Sequence, residues 1–326
     1  VKLIIQIPCL NEAETLPDVL AELPRHIDGI DLIETLVIDD GSKDGTAEVA
    51  TALGVDHVVR HPRNLGLAKA FQTGIEAALQ RGADIIVNTD ADNQYPGRYI
   101  VDLVTPILAG KADMVIGDRQ IGTIDHFSPW KKLLQRLGSW MVRNVSGTDV
   151  PDTVSGFRAY TRETALRLNI LTQFSYTLDT IIQAGKKGLT IVSVPIETNG
   201  PTRPSRLQHS TWHFVRQQAA TIVRLYAFYE PLRTFLYIAL PFLLVGTFLL
   251  LRFGYFYITD GGMGHVQSVT IGSGFFVVGI FVALFGLQAD ISSKHRLLSD
   301  QTLYRLKKLE LEKIEGERLK NEIETR

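Results

Sequence analysis

Asp84-Ile-Ile-Val-Asn-Thr-Asp-Ala-Asp-Asn-Gln-Tyr-Pro96 is the stretch whose reading decides the fold. Ile85 to Thr89 is a short apolar run with β-branched residues, the pattern of a buried strand, and it stops at Asp90-Ala-Asp92. Carboxylates one residue apart, just past a strand, repel each other unless solvent screens them or a cation lies between them. Oxygen ligands of this kind suit Mg2+ or Mn2+, which keep several waters and take one or two carboxylates together with substrate phosphates. Gln94 adds another oxygen two residues further on. The same residues also suit a solvated Asx-type turn, so the pair takes its meaning from its surroundings.

Outward from this stretch, strand and helix alternate with short connections. Leu3–Ile7, Thr35–Asp39, His57–Arg60 and Met114–Gly117 have the composition of strands. Glu14–Leu23, Thr46–Leu53, Leu67–Arg81 and Tyr99–Leu108 have that of helices, the third with an apolar face at Ala70, Ile75 and Ala78. The alternation predicts an α/β domain with a mostly parallel, Rossmann-like sheet and helices on both faces. Ligands of such sheets bind beyond the carboxyl ends of the strands. Pro8 to Glu12, Asp39-Asp40-Gly41-Ser42 and Asp90 to Gln94 all fall there, which predicts one shared site. The first strand is not followed by GxGxxG, and Gly41-Ser-Lys-Asp-Gly-Thr46 is not a P-loop. A nucleotide held by side chains and a metal fits better than one in a glycine cradle.

Composition narrows the class. With 326 residues the chain exceeds one small domain, and a net charge of -1 excludes a nucleic-acid partner of the usual basic kind. Its one cysteine, Cys9, precludes an internal disulfide and fits a reducing compartment. Residues up to about 230 read as a soluble domain, Thr234 to Ala289 is strongly apolar, and beyond Lys294 the chain is charged and helical. No cleavable leader is expected at the start, where Lys2 leads straight into a strand.

Five motifs then occur in order: Ile7-Pro-Cys-Leu-Asn-Glu12, Val37-Ile-Asp-Asp-Gly-Ser-Lys-Asp-Gly-Thr46, Asn64-Leu-Gly66, Thr89-Asp-Ala-Asp-Asn-Gln94 and Asp152-Thr-Val-Ser-Gly-Phe-Arg158. In them the chain resembles family 2 of the inverting nucleotide-sugar glycosyltransferases, with the GT-A fold, over residues 2–210. Within that family it is most similar to the polyisoprenyl-phosphate glycosyltransferases, the group of the dolichol-phosphate mannose synthases and bactoprenol glucosyltransferases. The resemblance implies that Pro8, Leu10, Glu12 and Asp40 line the base and ribose site, with Asp40 accepting from a base N–H. It implies that Asp90 and Asp92 hold Mg2+ or Mn2+ and the donor diphosphate, with Gln94 completing the metal shell. Asp152 would lie beside the reacting sugar. Leu67 stands where many relatives carry glycine or lysine, so Lys69 is the candidate to reach the phosphates instead.

Basic residues form a second constellation. Arg119 follows the strand Met114–Gly117, and Lys131, Lys132, Arg136 and Arg143 are expected on a helix, where Lys132 and Arg136 share a face. Arg203 and Arg206 lie in the Pro-rich stretch Gly200-Pro-Thr-Arg-Pro-Ser-Arg206. The resemblance implies that Arg119, Arg136 and Arg206 act at the reacting phosphates, and that Lys132, Arg136, Arg203 and Arg206 receive the acceptor phosphate. A guanidinium fork suits phosphate oxygens. The competing reading of these residues is a basic surface on anionic headgroups, at about 1 kcal/mol per residue.

Thr234 to Leu251 and Val266 to Ala289 are each long enough to cross a hydrocarbon core of about 30 Å, which takes ~20 apolar residues. The linker between them has no lysine or arginine, whereas Arg224 and Arg233 precede the first span and Lys294 and Arg296 follow the second. This asymmetry predicts both termini and the catalytic domain on the cytoplasmic side of the plasma (inner) membrane. Gly272, Gly274, Gly279 and Gly286 are expected to let helices pack closely. Trp212, Val215, Ala219, Ile222, Val223 and Tyr226 recur at helical spacing, the pattern of an amphipathic helix in the headgroup plane or against the soluble domain. Leu303, Leu306, Leu309 and Ile314 mark the tail as a self-associating or a solvated helix, so a homo-oligomer is a possible assembly.

The expected organisation is a catalytic domain over residues 1–210, a juxtamembrane helix over 211–232, two transmembrane helices over 233–290 and a charged helical tail over 291–326. The resemblance implies metal-dependent transfer of a hexose, by preference glucose from UDP-glucose, to a polyprenyl phosphate with inversion. GDP-mannose is the alternative donor. A processive polysaccharide synthase would be expected to carry a QxxRW element and more spans, and neither is found. A membrane-anchored protein that binds nucleotide sugar without catalysis is the remaining reading.

Overall fold

Leu3, Ile4, Ile5 and Ile7 are all fully buried along β1 (Lys2–Cys9). A strand buried on both faces belongs inside a parallel sheet covered on either side, and that is where the computed structural model of this chain places it. The structure describes residues 1–120, 140, 142–170, 176–200, 224, 226–261 and 266–324. β1 pairs in parallel with β2 (Leu32–Asp39) and β4 (Ile85–Asn88), and β2 pairs in parallel with β3 (His57–Arg60). β5 (Met114–Asp118) and β7 (Ile191–Pro195) are parallel partners, and β6 (Arg158–Thr161) runs antiparallel between β4 and β5. Among the described residues this gives a seven-stranded sheet in the order β3-β2-β1-β4-β6-β5-β7. The sheet is mostly parallel, as the alternation predicts. β6 and β7 are additions to the sequence reading.

Alternation along β1 assigns the two faces. Leu3, Ile5 and Ile7 join one cluster with Leu16 and Val19 of α1 (Leu16–Glu22) and Ile100, Leu103 and Val104 of α4 (Ile100–Leu108). α2 (Thr46–Ala52) follows β2, and its Ala50 joins that cluster. On the opposite face Gln6 lies beneath α3 (Leu67–Gln80), whose Ala70, Phe71, Ile75 and Ala78 are buried. The antiparallel β6 matters for function. Its first residue, Arg158, is opposite Asn88, the last residue of β4, so the segment entering β6 lies beside the segment leaving β4.

α5 (Arg162–Arg167) and α6 (Tyr176–Lys186) are further helices of this domain, and residues 142–146 are helical as well. Two further helices follow, α7 (Pro231–Asp260) and α8 (Val266–Glu324). The chain divides into two compact units, Val1–Ala219 with Thr302–Arg326, and Ala220–Gln301. In the second unit α7 and the first part of α8 are long and apolar enough to cross a membrane. Only 11 % and 17 % of their most apolar windows are buried, which sets them apart from the core helices of a soluble protein. Gly272, Gly279 and Gly286 face α7: a Cβ on each would lie 2.9 Å from Leu249, 2.7 Å from Leu243 and 2.6 Å from Phe235. Gly246 does the same from α7 toward Phe276, at 2.6 Å, whereas Gly274 faces open space.

The tail, expected as a solvated or self-associating helix, is the continuation of α8 and belongs from Thr302 onward to the first unit. The Tyr304 hydroxyl donates to Glu163 at 2.9 Å, and the Arg167 guanidinium lies 5.6 Å from the centre of the Tyr304 ring. Arg162 pairs with Glu315, and Leu311 is buried. Leu306 and Leu309 remain exposed.

Candidate active site

The loops at the carboxyl ends of the strands are tied to one another. Asn11, which adopts a positive φ of 54°, receives Lys43 N–H on its Oδ1 at 2.9 Å and gives its own N–H to Ser42 Oγ at 2.8 Å. Glu12 N–H donates to Thr46 Oγ1 at 3.0 Å, and Ala13 N–H to Asp44 at 3.0 Å. Side chains that bond nearby backbone groups in this way fix irregular segments where no ladder can. Asp40 ties in the third loop: its Oδ1 accepts from His61 Nδ1 at 2.7 Å and Leu65 N–H at 2.9 Å, its Oδ2 from Gly66 N–H at 2.8 Å. Gly41 must be glycine, because a Cβ there would lie 2.4 Å from the Arg63 carbonyl carbon. The Thr15 hydroxyl lies 2.7 Å from Ala91 O and 2.9 Å from Glu12 Oε2, which links the first loop to the Asp90–Asp92 turn.

Gln94 N–H donates to Asp92 Oδ1 at 3.2 Å, so this stretch is an Asx-type turn as well as an acidic pair. Asn199, beyond β7, braces the turn from outside, donating N–H to Gln94 O at 3.0 Å and Nδ2–H to Asn93 O at 2.9 Å. The segment entering β6 closes it from within. A Cβ on Gly156 would lie 3.2 Å from both carboxylate oxygens of Asp90, and Asn88 holds Gly156 O through Nδ2 at 2.8 Å. Burial, followed by the charge of Asp92, pushes the Asp90 carboxyl up to about 7, against the opposing pull of Arg119. Two such groups cannot both ionise comfortably without a counter-charge.

That is the chemistry of a hard-cation site short of ligands. Among the described residues no group of three or more His, Cys, Asp or Glu side chains converges on a metal position. A cation held here would rest on Asp90 and Asp92 and complete its shell with water and ligand oxygens, the habit of Mg2+ and Mn2+. The Asn93 Oδ1, buried in the same turn, has no hydrogen-bond partner among the described residues.

Facing the acids is a buried ion pair. Arg119 clasps Asp152 with Nε to Oδ2 at 2.7 Å and Nη2 to Oδ1 at 3.0 Å, and its backbone N–H adds a contact at 3.3 Å. Burial alone would raise the Asp152 carboxyl, but the hydrogen bond and charge of Arg119 prevail and hold it below the usual range. Arg119 is likewise raised by Asp152 in spite of its own burial. Arg158 is fully buried and donates to Ser155 O, Thr177 O, Thr180 Oγ1 and Thr153 O at 2.7–3.0 Å. It fastens the segment 152–156 to α6.

The residues singled out in the sequence thus divide as follows. Pro8, Glu12, Asp40 and Asp152 are buried, and Leu10, Asp90, Asp92, Gln94 and Arg119 are half-buried; Pro8 lies near the end of β1 and the others on the loops at the carboxyl edge of the parallel strands. Lys69 is exposed in the first turn of α3, with its Nζ 3.5 Å from Gln72 Oε1. Lys131, Lys132, Arg136, Arg203 and Arg206 lie outside the described residues, as does most of the 211–232 segment. Asn88 and Arg158 belong to quoted stretches but had no role assigned, and His61, Thr15 and Asn199 were not singled out. His61, Asn88 and Arg158 are buried and Thr15 and Asn199 half-buried; a polar residue inside or beside a motif is the signal that could have marked all but Asn199.

Residues 4–167 match the model of glycosyl transferase family 2. Among curated relatives, polyprenol monophosphomannose synthase of Mycolicibacterium smegmatis is 30 % identical over 205 residues, 59 % of this chain and 76 % of that protein. Undecaprenyl-phosphate mannosyltransferase of Micrococcus luteus is 30 % identical over 200 residues, 58 % of this chain and 80 % of that one. Among solved structures, glucosyl-3-phosphoglycerate synthase of Mycobacterium tuberculosis, crystallised with Mn2+, UDP and phosphoglyceric acid, superposes with a TM-score of 0.54. At 21 % identity, covering 69 % of this chain and 78 % of that one, it shows a shared GT-A fold.

Proposed function

The chain belongs to glycosyl transferase family 2, and on that premise we propose that it moves a hexose from a nucleoside diphosphate sugar to a polyprenyl phosphate, inverting the anomeric configuration. The observation that carries this reading is the Asp90–Asp92 pair lying within electrostatic reach of the Arg119–Asp152 ion pair. The named relatives that act on polyprenyl phosphates supply the acceptor class, and the two apolar helices are what an enzyme with a bilayer-bound acceptor needs. The catalytic domain and both termini are assigned to the cytoplasmic side on the lysine and arginine pattern of the flanks.

Asp90 and Asp92, with Gln94, would hold Mg2+ or Mn2+. A cation bound there supplies Lewis-acid stabilisation to the departing diphosphate. Pro8, Leu10, Glu12 and Asp40 would take the base and ribose, and Lys69 would reach toward the phosphates. A phosphomonoester acceptor has a second pKa near ~6 and is largely dianionic at neutral pH, so the attack needs no strong general base. This agrees with the state of Asp152, whose oxygens both bond Arg119 and whose carboxyl is a weak base. Asp152 is better suited to aiming the guanidinium than to taking a proton. An acceptor phosphate oxygen forms the new bond to the anomeric carbon as the bond to the leaving diphosphate breaks. Arg119, with Lys132, Arg136, Arg203 and Arg206, would offset the repulsion between the two phosphate groups and hold an in-line approach.

Glucose from UDP-glucose is the preferred donor. GDP-mannose is the second reading, favoured by the mannose named for the relatives above. Membranes carrying the protein, incubated with labelled UDP-glucose or GDP-mannose with and without Mg2+, should yield a lipid-phosphate monosaccharide only with the metal. A polymer, or no lipid product from either donor, would sink the proposal.

A further inference from the structure

His61 follows β3 and Asp40 follows β2, and neither was given a structural partner by the sequence reading. The His61 Nδ1 lies 2.7 Å from Asp40 Oδ1, and its Nε2 lies 3.0 Å from the Thr73 hydroxyl on α3. Both His61 and Asp40 are buried, at 7 % and 3 % exposure, so water does not compete for these bonds. A carboxylate only accepts, so the hydrogen between the two sits on Nδ1; in the neutral ring Nε2 then accepts from Thr73. The chain Asp40–His61–Thr73 ties the loop after β2 to the body of α3.

Its other end is the loop Asn64–Gly66. Leu65 N–H shares Asp40 Oδ1 with His61, while Gly66 N–H takes Oδ2 at 2.8 Å. A carboxylate offers about four acceptor directions. Among the described residues three are therefore occupied, both on Oδ1 and one on Oδ2, which leaves one direction on Oδ2. Only 4 % of the Asp40 side chain is open, so an acceptor direction already taken by the protein is not freed by solvent.

We propose that His61, braced by Thr73, is a positioning residue that leaves Asp40 a single acceptor, and that this selects a uracil base over guanine. Uracil presents one ring N–H. Guanine presents an adjacent pair of N–H donors, which one carboxylate can accept together only with an open direction on each of its oxygens. Binding guanine here leaves one of its donors buried without a partner, the kind of mismatch that separates substrates most sharply. The inference rests on the reading of Asp40 as part of the nucleotide site and narrows the donor class to uridine diphosphate sugars.

The test uses the full-length protein in detergent with Mn2+, and UDP and GDP as probes in a thermal-shift titration. Wild type should bind UDP at least about tenfold more tightly than GDP. In His61→Ala, Asp40 regains a free Oδ1 direction, and the preference should fall to within about threefold. His61→Asn, whose amide nitrogen can take the place of Nδ1, should restore the preference, and His61→Gln should not. A fold defect alone would weaken both nucleotides together and leave their ratio unchanged. Equal affinity for the two nucleotides in wild type, or an unchanged ratio in His61→Ala, overturns the proposal. Wild type that binds neither nucleotide refutes the nucleotide-sugar reading itself. Amide hydrogen exchange at Leu65 and Gly66 then decides the brace: faster exchange in His61→Ala that His61→Asn reverses sustains it, and unchanged exchange overturns it.

Discussion

Asp90 and Asp152 both lie within reach of the Arg119 charge, and both carboxyl groups are crowded by protein, yet their acidities are driven apart. Asp152 meets a guanidinium on both oxygens and stays ionised. Asp90 meets another carboxylate and is pushed up to about 7. The first charge is balanced within the chain; the second is balanced only when something positive arrives. Pairs of titratable groups pushed in opposite directions are how a site separates a standing part from a part completed by its ligands.

The strongest way to break this contrast is at the acidic side. Asp92→Asn should lower metal-dependent transfer about 100-fold or more while the melting temperature holds, because in the proposed mechanism the group lost acts on the leaving diphosphate. Full activity in that variant would defeat the metal assignment. Arg119→Ala strands a buried carboxylate and should cost about 3 kcal/mol in a denaturant titration; a loss within error would mean that water replaces the guanidinium easily. Asp90→Asn sharpens the contrast through pH. The wild-type carboxyl ionises near 3.8 when unfolded and about 7 when folded, so metal-free protein is fully stable below the lower value and loses stability as pH rises through the upper one. The Asn variant should therefore exceed metal-free wild type by about 1–3 kcal/mol at pH 8 and match it near pH 4. Mn2+ should stabilise wild type alone at the higher pH. The smallest effect is reserved for Arg119→Lys, which keeps the charge but not the fork and should cost about 1 kcal/mol.

The parallel half of the sheet was legible because Leu3–Ile7, Thr35–Asp39 and Ile85–Thr89 are apolar runs between polar clusters, and parallel strands leave no other signature. β6 was hidden. Its four residues begin with Arg158, a charge that argues against a buried strand until its partners at Thr153, Ser155, Thr177 and Thr180 are known. β7 was missed for a different reason: its residues are only partly buried, and Ile191–Pro195 carries no alternation to count. At the candidate site, the acidic pair and Asp152 were singled out through motifs. The partnership of Asp152 with Arg119 was not, because 33 residues separate them. The same holds for Asp40 and His61, which meet only because β2 and β3 are neighbours.

One feature of the chain's layout bears on how it is made. The sheet domain is assembled from two stretches, and the apolar hairpin is the piece of chain between them. During synthesis the ribosome must therefore emit the whole greasy segment before the helix carrying Tyr304 and Leu311 exists to cover α5. The apolar segment is thus complete before the first unit is, and trimming the protein after residue 219 to ease purification would discard a component of the sheet domain itself along with the apolar helices.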